Sequence, residues 1–241
     1  MSPRQSSPIA NKLLAALPPE DFAALEPHLE TVSLSRSQIL YDSGETIRHA
    51  FFPHDCIVSL LAVMEGGGSA EVALFGCEGV LGLASSLVSR ESFGRYIVQL
   101  PGAASRIGIE RLEEALVVRP AVRDLLRRYF EVLLKHAYQS IACNGLHSVE
   151  ARCCRWILST HDRMNHDTLP LTHEFLAEML GVQRSTISLI TRTLQTAGLI
   201  SQSRGVITVT DRAGLEEAAC ECYAAIRQNF ERLLPQRNEH R

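Results

Sequence analysis

The chain has 241 residues, 46% of them hydrophobic, so it can bury the core of one large domain or two moderate ones; we expect two. Its formal net charge of −3 excludes a protein that coats nucleic acid everywhere, and confines any such surface to a local basic patch. Because neither a run of about 18 apolar residues nor a signal-peptide core is present, we expect a cytoplasmic protein with no membrane partner. The seven cysteines are interpreted as reduced, mostly buried thiols.

The first half of the chain predicts short helices followed by a β domain. Residues 10–17 form a short helix that ends before Pro18, and a second helix begins near Glu20. From 31 to 109, short apolar runs alternate with turn residues, which predicts an antiparallel β-roll or barrel. The expected strands include residues 32–34, 39–41, 57–63, 71–74 and 96–100.

A long helix is predicted from Pro120 to Ala142, about 35 Å long, and Asn144-Gly145 is expected to end it. Two apolar stripes run along it, so one side can cover the β domain while the other meets a partner helix. A core helix of a monomer is an equally good interpretation of the helix alone. The stripes comprise Leu126, Phe130, Leu133, Ala137 and Ile141, and Val122, Leu125, Tyr129 and Val132.

Further helices follow in the last third. One is expected over residues 149–164, with Arg152, Arg155 and Arg163 mostly outward. Another begins at Asp211 and continues past Cys222 to Leu233. The predicted fold class is therefore α+β, with a β-roll domain and its N-terminal helices at 1–118, a long dimerisation helix at 119–145, and a winged helix-turn-helix domain with a C-terminal helix at 146–241.

The segment 172–200 carries the most specific pattern, which is that of a DNA-binding helix-turn-helix. Ala177 allows two helices to cross closely, and Gly181 lies where the backbone turns. A recognition helix is expected from Gln183 to Gln195, with its N-terminal end in the major groove. After it, residues 203–205 turn a hairpin into the alternating strand 206–209, which predicts a wing.

The candidate DNA-binding residues divide by chemistry. Gln183, Arg184, Ser185 and Ser188 are predicted to read bases, and Arg184 is the strongest candidate because its guanidinium can bind guanine through two hydrogen bonds. Phosphate contacts are predicted for Thr172, His173, Thr186 and Arg204. Ordinary caps and surface residues are the alternative, which suits His173 better than Arg184. Arg184, Arg192, Arg204 and Arg212 outweigh Asp211 and make this region locally positive.

The order of these parts resembles the Crp/Fnr family of bacterial transcription regulators. The resemblance rests on the turn Tyr41-Asp42-Ser43-Gly44-Glu45, on the stretch from Leu180 to Ser188, and on the wing sequence beginning Arg204-Gly205. It implies a homodimer that regulates transcription from a two-fold DNA operator and contacts RNA polymerase. Ser185 and Leu189 stand where the catabolite-activator branch usually has a glutamate and an arginine, so that branch's operator is not expected.

The resemblance departs at the effector loop. Members that bind cyclic AMP have an Arg-Ser or Arg-Thr pair for the cyclic phosphate, whereas this chain has Ser92-Phe93-Gly94, with Arg90 and Arg95 nearby but out of register. A cyclic-nucleotide cofactor is therefore disfavoured, and the effector stays unassigned.

Cysteine chemistry gives a second hypothesis. An oxygen-sensing iron–sulfur cluster is not expected, because no cysteine precedes Cys56. His54 with Cys56, or Cys77, could ligate haem iron, so a haem- or redox-sensing regulator of the same family is the alternative. Cys220 and Cys222 would point about 200° apart on one helix, so no metal site is predicted.

Other function classes are disfavoured by the sequence. Common catalytic motifs are absent, so no catalytic residue is assigned and an enzyme is not expected. A winged helix that binds protein instead of DNA stays open, and salt-dependent DNA binding would decide between the two.

Overall fold

The fold was obtained as a computed structural model that describes residues 10–83, 89–164 and 166–234. It is α+β, as predicted. The chain divides into two compact units. The first comprises the described parts of residues 1–60, 73–134 and 229–241, and the second comprises residues 61–72 and the described parts of 135–228.

Seven strands form the β domain as two antiparallel sheets, with the orders β1-β7-β3 and β2-β6-β4-β5. The inward side chains are large and apolar, such as Phe75, Tyr96 and Leu100, each at most 2% exposed. The strands are β1 (Glu30–Leu34), β2 (Ile39–Tyr41), β3 (His49–Pro53), β4 (Ile57–Val63), β5 (Ser69–Phe75), β6 (Arg95–Leu100) and β7 (Gly102–Gly108).

Two of these strands, β3 and β7, were not predicted from the sequence, and they pair with each other in antiparallel register. The run Gly102–Gly108 contains small residues and no strong alternation, and β3 ends on a proline, so neither matched the usual strand pattern. Strand β7 lies between β1 and β3, where small side chains fit against two neighbours.

Helices precede and follow this domain. Asn11 caps α1 by accepting hydrogen bonds from the amides of Leu13 and Leu14. The helices of this part are α1 (Lys12–Ala15), α2 (Pro19–Leu25), α3 (Ile109–Val118) and α4 (Pro120–Leu146). None of the helices in the described ranges is long and apolar enough to cross a membrane.

Helix α4 is longer than predicted, because it continues through Asn144-Gly145 and ends at Leu146. The predicted stripe through Val122 and Val132 is buried. The other stripe is only partly covered: Leu126 is buried, whereas Ile141 is 69% exposed.

The second unit contains helices and a small three-stranded sheet of order β8-β10-β9. Contrary to expectation, Arg152 and Arg155 are buried, since their helix, α5 (Val149–His161), is enclosed along much of its length. Arg152 donates from Nη1 to Asn144 Oδ1 at 2.9 Å. The helices and strands that follow α4 are α5 (Val149–His161), β8 (Thr168–Leu169), α6 (His173–Leu180), α7 (Arg184–Thr196), β9 (Ile200–Ser203), β10 (Val206–Val209), α8 (Arg212–Ala218) and α9 (Cys222–Leu233).

The single C-terminal helix expected from Asp211 to Leu233 was wrong, because the chain breaks between α8 and α9. Asp211 does cap α8, by accepting from the Gly214 amide. Ala219 then adopts an extended backbone with φ −76° and ψ 157°, which ends the helix. Cys220 therefore lies between two helices and not on one.

Candidate DNA interface

The turn between α6 and α7 has the geometry that the sequence predicted. The Thr172 hydroxyl caps α6 by accepting from the Phe175 amide. At the other end, Gly181 adopts a left-handed conformation with φ +65°, which favours glycine, and the Val182 amide donates to the Ala177 carbonyl at 2.9 Å. This closure directs the chain into the second helix.

Helix α7 begins at Arg184, so Gln183 is its N-cap residue and not its first helical residue. One side of the helix is buried, through Ile187, Ile190 and Leu194. Because 3.6 residues make a turn, the opposite side carries the positions between these anchors. Thr186 lies at the edge of the buried side and is half-buried.

A shallow depression lies along the exposed side of α7. It contains three of the predicted base-reading residues and two that were not among them, Leu189 and Arg192. Leu189 is 66% exposed, although it is a large apolar side chain. The i, i+4 spacing from Ser185 and Ser188 would have identified both additional residues. The depression is lined by Arg184, Ser185, Ser188, Leu189 and Arg192.

Arg184 is oriented by a neighbour on α6. Its Nε lies 2.5 Å from Oε1 of Glu174, and both side chains are well exposed. Surface ion pairs of this kind stabilise a fold by less than about 1 kcal/mol. The contact therefore positions the guanidinium more than it stabilises the domain.

His173 occupies the centre of a polar network instead of an open surface. Its Nδ1 lies 2.9 Å from Ser188 Oγ, and its Nε2 lies 2.6 Å from Gln202 Oε1 and 3.1 Å from Thr191 Oγ1. The imidazole thus links α6, α7 and β9. Ser188 also donates to the Arg184 carbonyl, so its hydroxyl is held in place from two sides.

The wing is present as predicted, with Arg204 and Gly205 as the two turn residues between β9 and β10. Both have positive φ, +44° and +81°, as a type I′ hairpin turn requires. A methyl group on Gly205 would lie 3.3 Å from Thr172 Cγ2, so the turn lies beside the start of α6. The structure therefore brings the wing turn close to Thr172.

Arg212 does not contribute to the basic patch as expected. Its guanidinium donates to Asp162 Oδ1 at 2.6 Å and to Glu216 Oε1 at 3.0 Å, and it also contacts Tyr223. These carboxylates neutralise the positive charge of Arg212. Arg184 and Arg192 on α7 and Arg204 at the wing turn are exposed.

The tip of the β4–β5 hairpin, residues 61–72, belongs to the same compact unit as the helix-turn-helix. The indole Nε1 of Trp156 donates to Glu71 Oε1 at 3.0 Å, and Ser69 Oγ donates to Glu178 Oε1 at 3.4 Å. A methyl group on Gly181 would lie 3.5 Å from Ala70 Cβ. The hairpin therefore contacts the turn that precedes α7, which nothing in the sequence pattern indicated.

In the β domain, the residues considered for an effector have other partners. Arg90 binds Glu113 at 2.6 Å, and Arg95 binds Asp42 through two nitrogens. Donation from Arg95 holds the pKa of the Asp42 carboxyl below its usual value. Phe93, which stands where a phosphate donor would be, is 67% exposed.

Two of the candidate haem ligands, His54 and Cys56, lie in the β-domain core, whereas Cys77 is half-buried. His54 is buried, and its Nε2 lies 2.9 Å from Ser105 Oγ. Cys56 is 1% exposed and donates to the Ala103 carbonyl. Burial raises the pKa of the Cys56 thiol to about 12, so it is not a thiolate at neutral pH.

Comparisons with known proteins agree with this geometry. Residues 151–218 match the family model of the Crp-like helix-turn-helix domain. A search of curated protein sequences gives no match.

Solved structures match over most of the chain at low sequence identity. FixK2 from Bradyrhizobium japonicum is 17% identical with a TM-score of 0.69, and the match covers 80% of this chain and 98% of that one. A transcriptional regulator of the CRP/FNR family from Thermus thermophilus, TTHA1359, is 21% identical with a TM-score of 0.64 and coverages of 79% and 98%. The c-di-GMP responsive global regulator CLP from Xanthomonas campestris is 14% identical with a TM-score of 0.62 and coverages of 79% and 98%.

At these identities the structural matches establish the fold, and the domain match establishes the family of the helix-turn-helix. Residues 151–218 are therefore a Crp-like helix-turn-helix domain, and the chain has the fold of the Crp/Fnr regulators.

Proposed function

We propose that this protein is a homodimeric transcription regulator that binds a specific DNA sequence through α7. The observation that carries the proposal is the exposed face of α7, where an arginine and two serines share one depression at the N-terminal end of the helix. Such an end is the part of a recognition helix that reaches base edges in the major groove. The match of residues 151–218 supports the same role.

Within this interface, base reading belongs to Arg184, Ser185 and Ser188, with Gln183 at the entrance of the helix. Arg184 reads guanine, and Glu174 holds its guanidinium on the exposed side. Thr172, Thr186 and Arg204 contact phosphates. His173 acts through the position of Ser188, because its ring nitrogens already face Ser188, Gln202 and Thr191.

The dimer forms along α4, in the segment 119–145 that separates the β-roll domain (1–118) from the DNA-binding domain (146–241). Three large apolar side chains on α4 are exposed at spacings of four and three residues: Leu134 at 51%, Tyr138 at 62% and Ile141 at 69%. An unpaired helix face of this kind is typical of a helix–helix interface. In a two-fold dimer, the two half-sites of the operator are about 34 Å apart.

Cyclic AMP is not the effector in this proposal. A cyclic phosphate requires a cation and donors, whereas Arg90 and Arg95 are held by carboxylates of the β domain. The regulator responds to another ligand, or to none, and contacts RNA polymerase as Crp/Fnr-type regulators do. The haem alternative is less well supported, because His54 and Cys56 pack inside the core.

Selection of bound duplexes from a random pool, with and without cyclic AMP, tests the proposal. The expected result is a two-fold sequence with half-site centres about 10 base pairs apart, unchanged by cyclic AMP. If the protein bound no DNA at low salt, the assignment of α7 as a DNA-binding helix would be overturned, and a winged helix that binds protein would be favoured. A shift of the sequence or affinity with cyclic AMP would overturn the effector argument alone, and an absorbance band near the Soret region would favour the haem alternative.

A further inference from the structure

Four potential metal ligands converge at the C-terminal end of α4. Cys143 and His147 come from that end, and Cys220 and Cys222 come from the break between α8 and α9. One ligand atom from each residue lies within 4.8 Å of all the others. The three cysteines are buried, and the His147 side chain is 22% exposed.

The spacing of these atoms fits one tetrahedral ion. With zinc–sulfur bonds of about 2.3 Å and zinc–nitrogen bonds of about 2.05 Å, tetrahedral ligands lie about 3.8 Å apart for two sulfurs and about 3.6 Å apart for sulfur and nitrogen. Cys143 Sγ lies 3.5 Å from Cys220 Sγ, and Cys222 Sγ lies 3.6 Å from His147 Nδ1. Both distances are close to the tetrahedral values.

The residues around the cluster match the surroundings of a metal centre. His147 Nε2 lies 3.1 Å from Glu221 Oε1, so the carboxylate can hold the tautomer whose Nδ1 lone pair faces the sulfurs. Gln139 donates from Nε2 to Cys222 Sγ at 3.0 Å, which stabilises a thiolate. These are the two kinds of outer contact that orient an imidazole ligand and a sulfur ligand.

A buried cation also faces the cluster. Arg155 is 7% exposed, its Nε has no hydrogen-bond partner among the described residues, and its charge acts on both Cys143 and Cys220. Three thiolates, one neutral imidazole and a divalent ion carry a net charge of −1. An adjacent arginine balances that charge, whereas beside three neutral thiols it is a buried charge with little compensation.

We propose that Cys143, His147, Cys220 and Cys222 bind a single zinc ion. On binding, the three thiols release their protons to solvent and the Nδ1 lone pair completes the tetrahedron, with no change of oxidation state. All four positions are filled by protein, so the site is structural and has no open position for a substrate. It fastens the start of α9 to the end of α4.

The experiment is zinc analysis of the full chain, purified without chelator and without an affinity tag that binds metal. The expected result is one zinc per chain, and replacement by cobalt gives the absorption of tetrahedral thiolate-bound Co²⁺. Cys222→Ser removes stoichiometric binding, whereas the control Cys77→Ser, a half-exposed cysteine outside the cluster, retains it. Glu221→Gln, which keeps all four ligands, lowers the zinc affinity by about 10- to 100-fold.

Other results would overturn the site. They are a chain that binds no zinc or Co²⁺ stoichiometrically after reduction, a Cys222→Ser variant that binds as wild type, and iron with acid-labile sulfide in place of zinc. A Cys143–Cys220 disulfide that persists in chain purified with zinc present, seen as a mass lower by two hydrogens, would also exclude it. Wild-type binding is measured without any variant, so misfolding of Cys222→Ser does not affect that test.

Discussion

The Nε of Arg184 on α7 lies 2.5 Å from the Glu174 carboxylate on α6. Because that contact engages one edge of the guanidinium, its terminal nitrogens are the donors that the proposed interface leaves for DNA. Arg184→Ala is expected to lower discrimination at one base pair of each half-site by about 1–3 kcal/mol, with little effect at the others. Binding to a panel of single-base operator variants measures this, and an equal loss at every position would contradict it.

Arg204, at the wing turn, is expected to act differently. Arg204→Ala weakens binding to all operator variants by a similar factor and lowers the slope of log K against log salt by about 1, because one phosphate contact is lost. Titrations at several salt concentrations measure the slope. The matched control is Arg232→Ala, which changes an exposed arginine near the end of α9. Arg212→Ala is unsuitable as a control because it disturbs Asp162 and Tyr223. Loss of specificity at one base pair would assign Arg204 to base reading.

A charged residue on the exposed apolar face of α4 is expected to shift the protein from dimer to monomer. Ile141→Glu places a charge within the proposed interface and is expected to weaken dimerisation by about 2–4 kcal/mol. Sedimentation equilibrium over a range of concentrations measures it. Val117→Glu is the matched control, since Val117 is 75% exposed on α3. A monomeric wild type, or equal behaviour of both variants, would exclude a dimer along this face.

The contact between Trp156 and Glu71 predicts a stability difference between two substitutions. Glu71→Ala leaves the indole N–H of a residue that is 2% exposed without its acceptor, and is expected to cost about 1–3 kcal/mol. Glu71→Gln retains an acceptor oxygen and is expected to cost less. Denaturant unfolding followed by the fluorescence of Trp156, the one tryptophan in the chain, compares the two. Equal costs would show that the hydrogen bond contributes little.

His136 predicts a loss of stability in acid. Burial, with Arg163 and Arg155 nearby, lowers its pKa to about 3 in the folded chain, so between that value and the ordinary 6.5 the unfolded chain binds the extra proton. The contribution of the neutral His136 to the free energy of unfolding is fully present above pH 6.5. It declines as pH falls toward 3, by up to about 1.4 kcal/mol per pH unit. His136→Gln is expected to flatten this slope in unfolding measured from pH 7 to 4. Part of the slope is expected to remain in the variant, because burial also lowers the pKa values of His49 and His54.

The helix-turn-helix was predictable because its constraints are local. Thr172, Gly181 and Gly205 each have a residue type that suits the backbone there, and each signal depends only on the residues next to it in the chain. The limits of α7 were wrong by one residue at each end, since Gln183 caps the helix and Thr196 extends it.

The remaining features depend on contacts between distant segments. Cys143 and Cys220 are 77 residues apart, and Trp156 and Glu71 are 85 apart, so no local pattern reveals either pair. Arg155 was placed outward because arginine is usually exposed, but enclosure of α5 overrides that preference. The break at Ala219 follows no proline or glycine, and this is why two cysteines that share a cluster were predicted to diverge.

The left-handed backbone at Arg204 has one more consequence. A side chain other than glycine costs roughly 1–2 kcal/mol in that conformation, so glycine or asparagine would suit the hairpin better than arginine does. In the proposed interface, folding stability and DNA affinity therefore favour different residues at this position. Arg204 lowers the stability of the hairpin and at the same time places a positive charge at the end of a rigid turn.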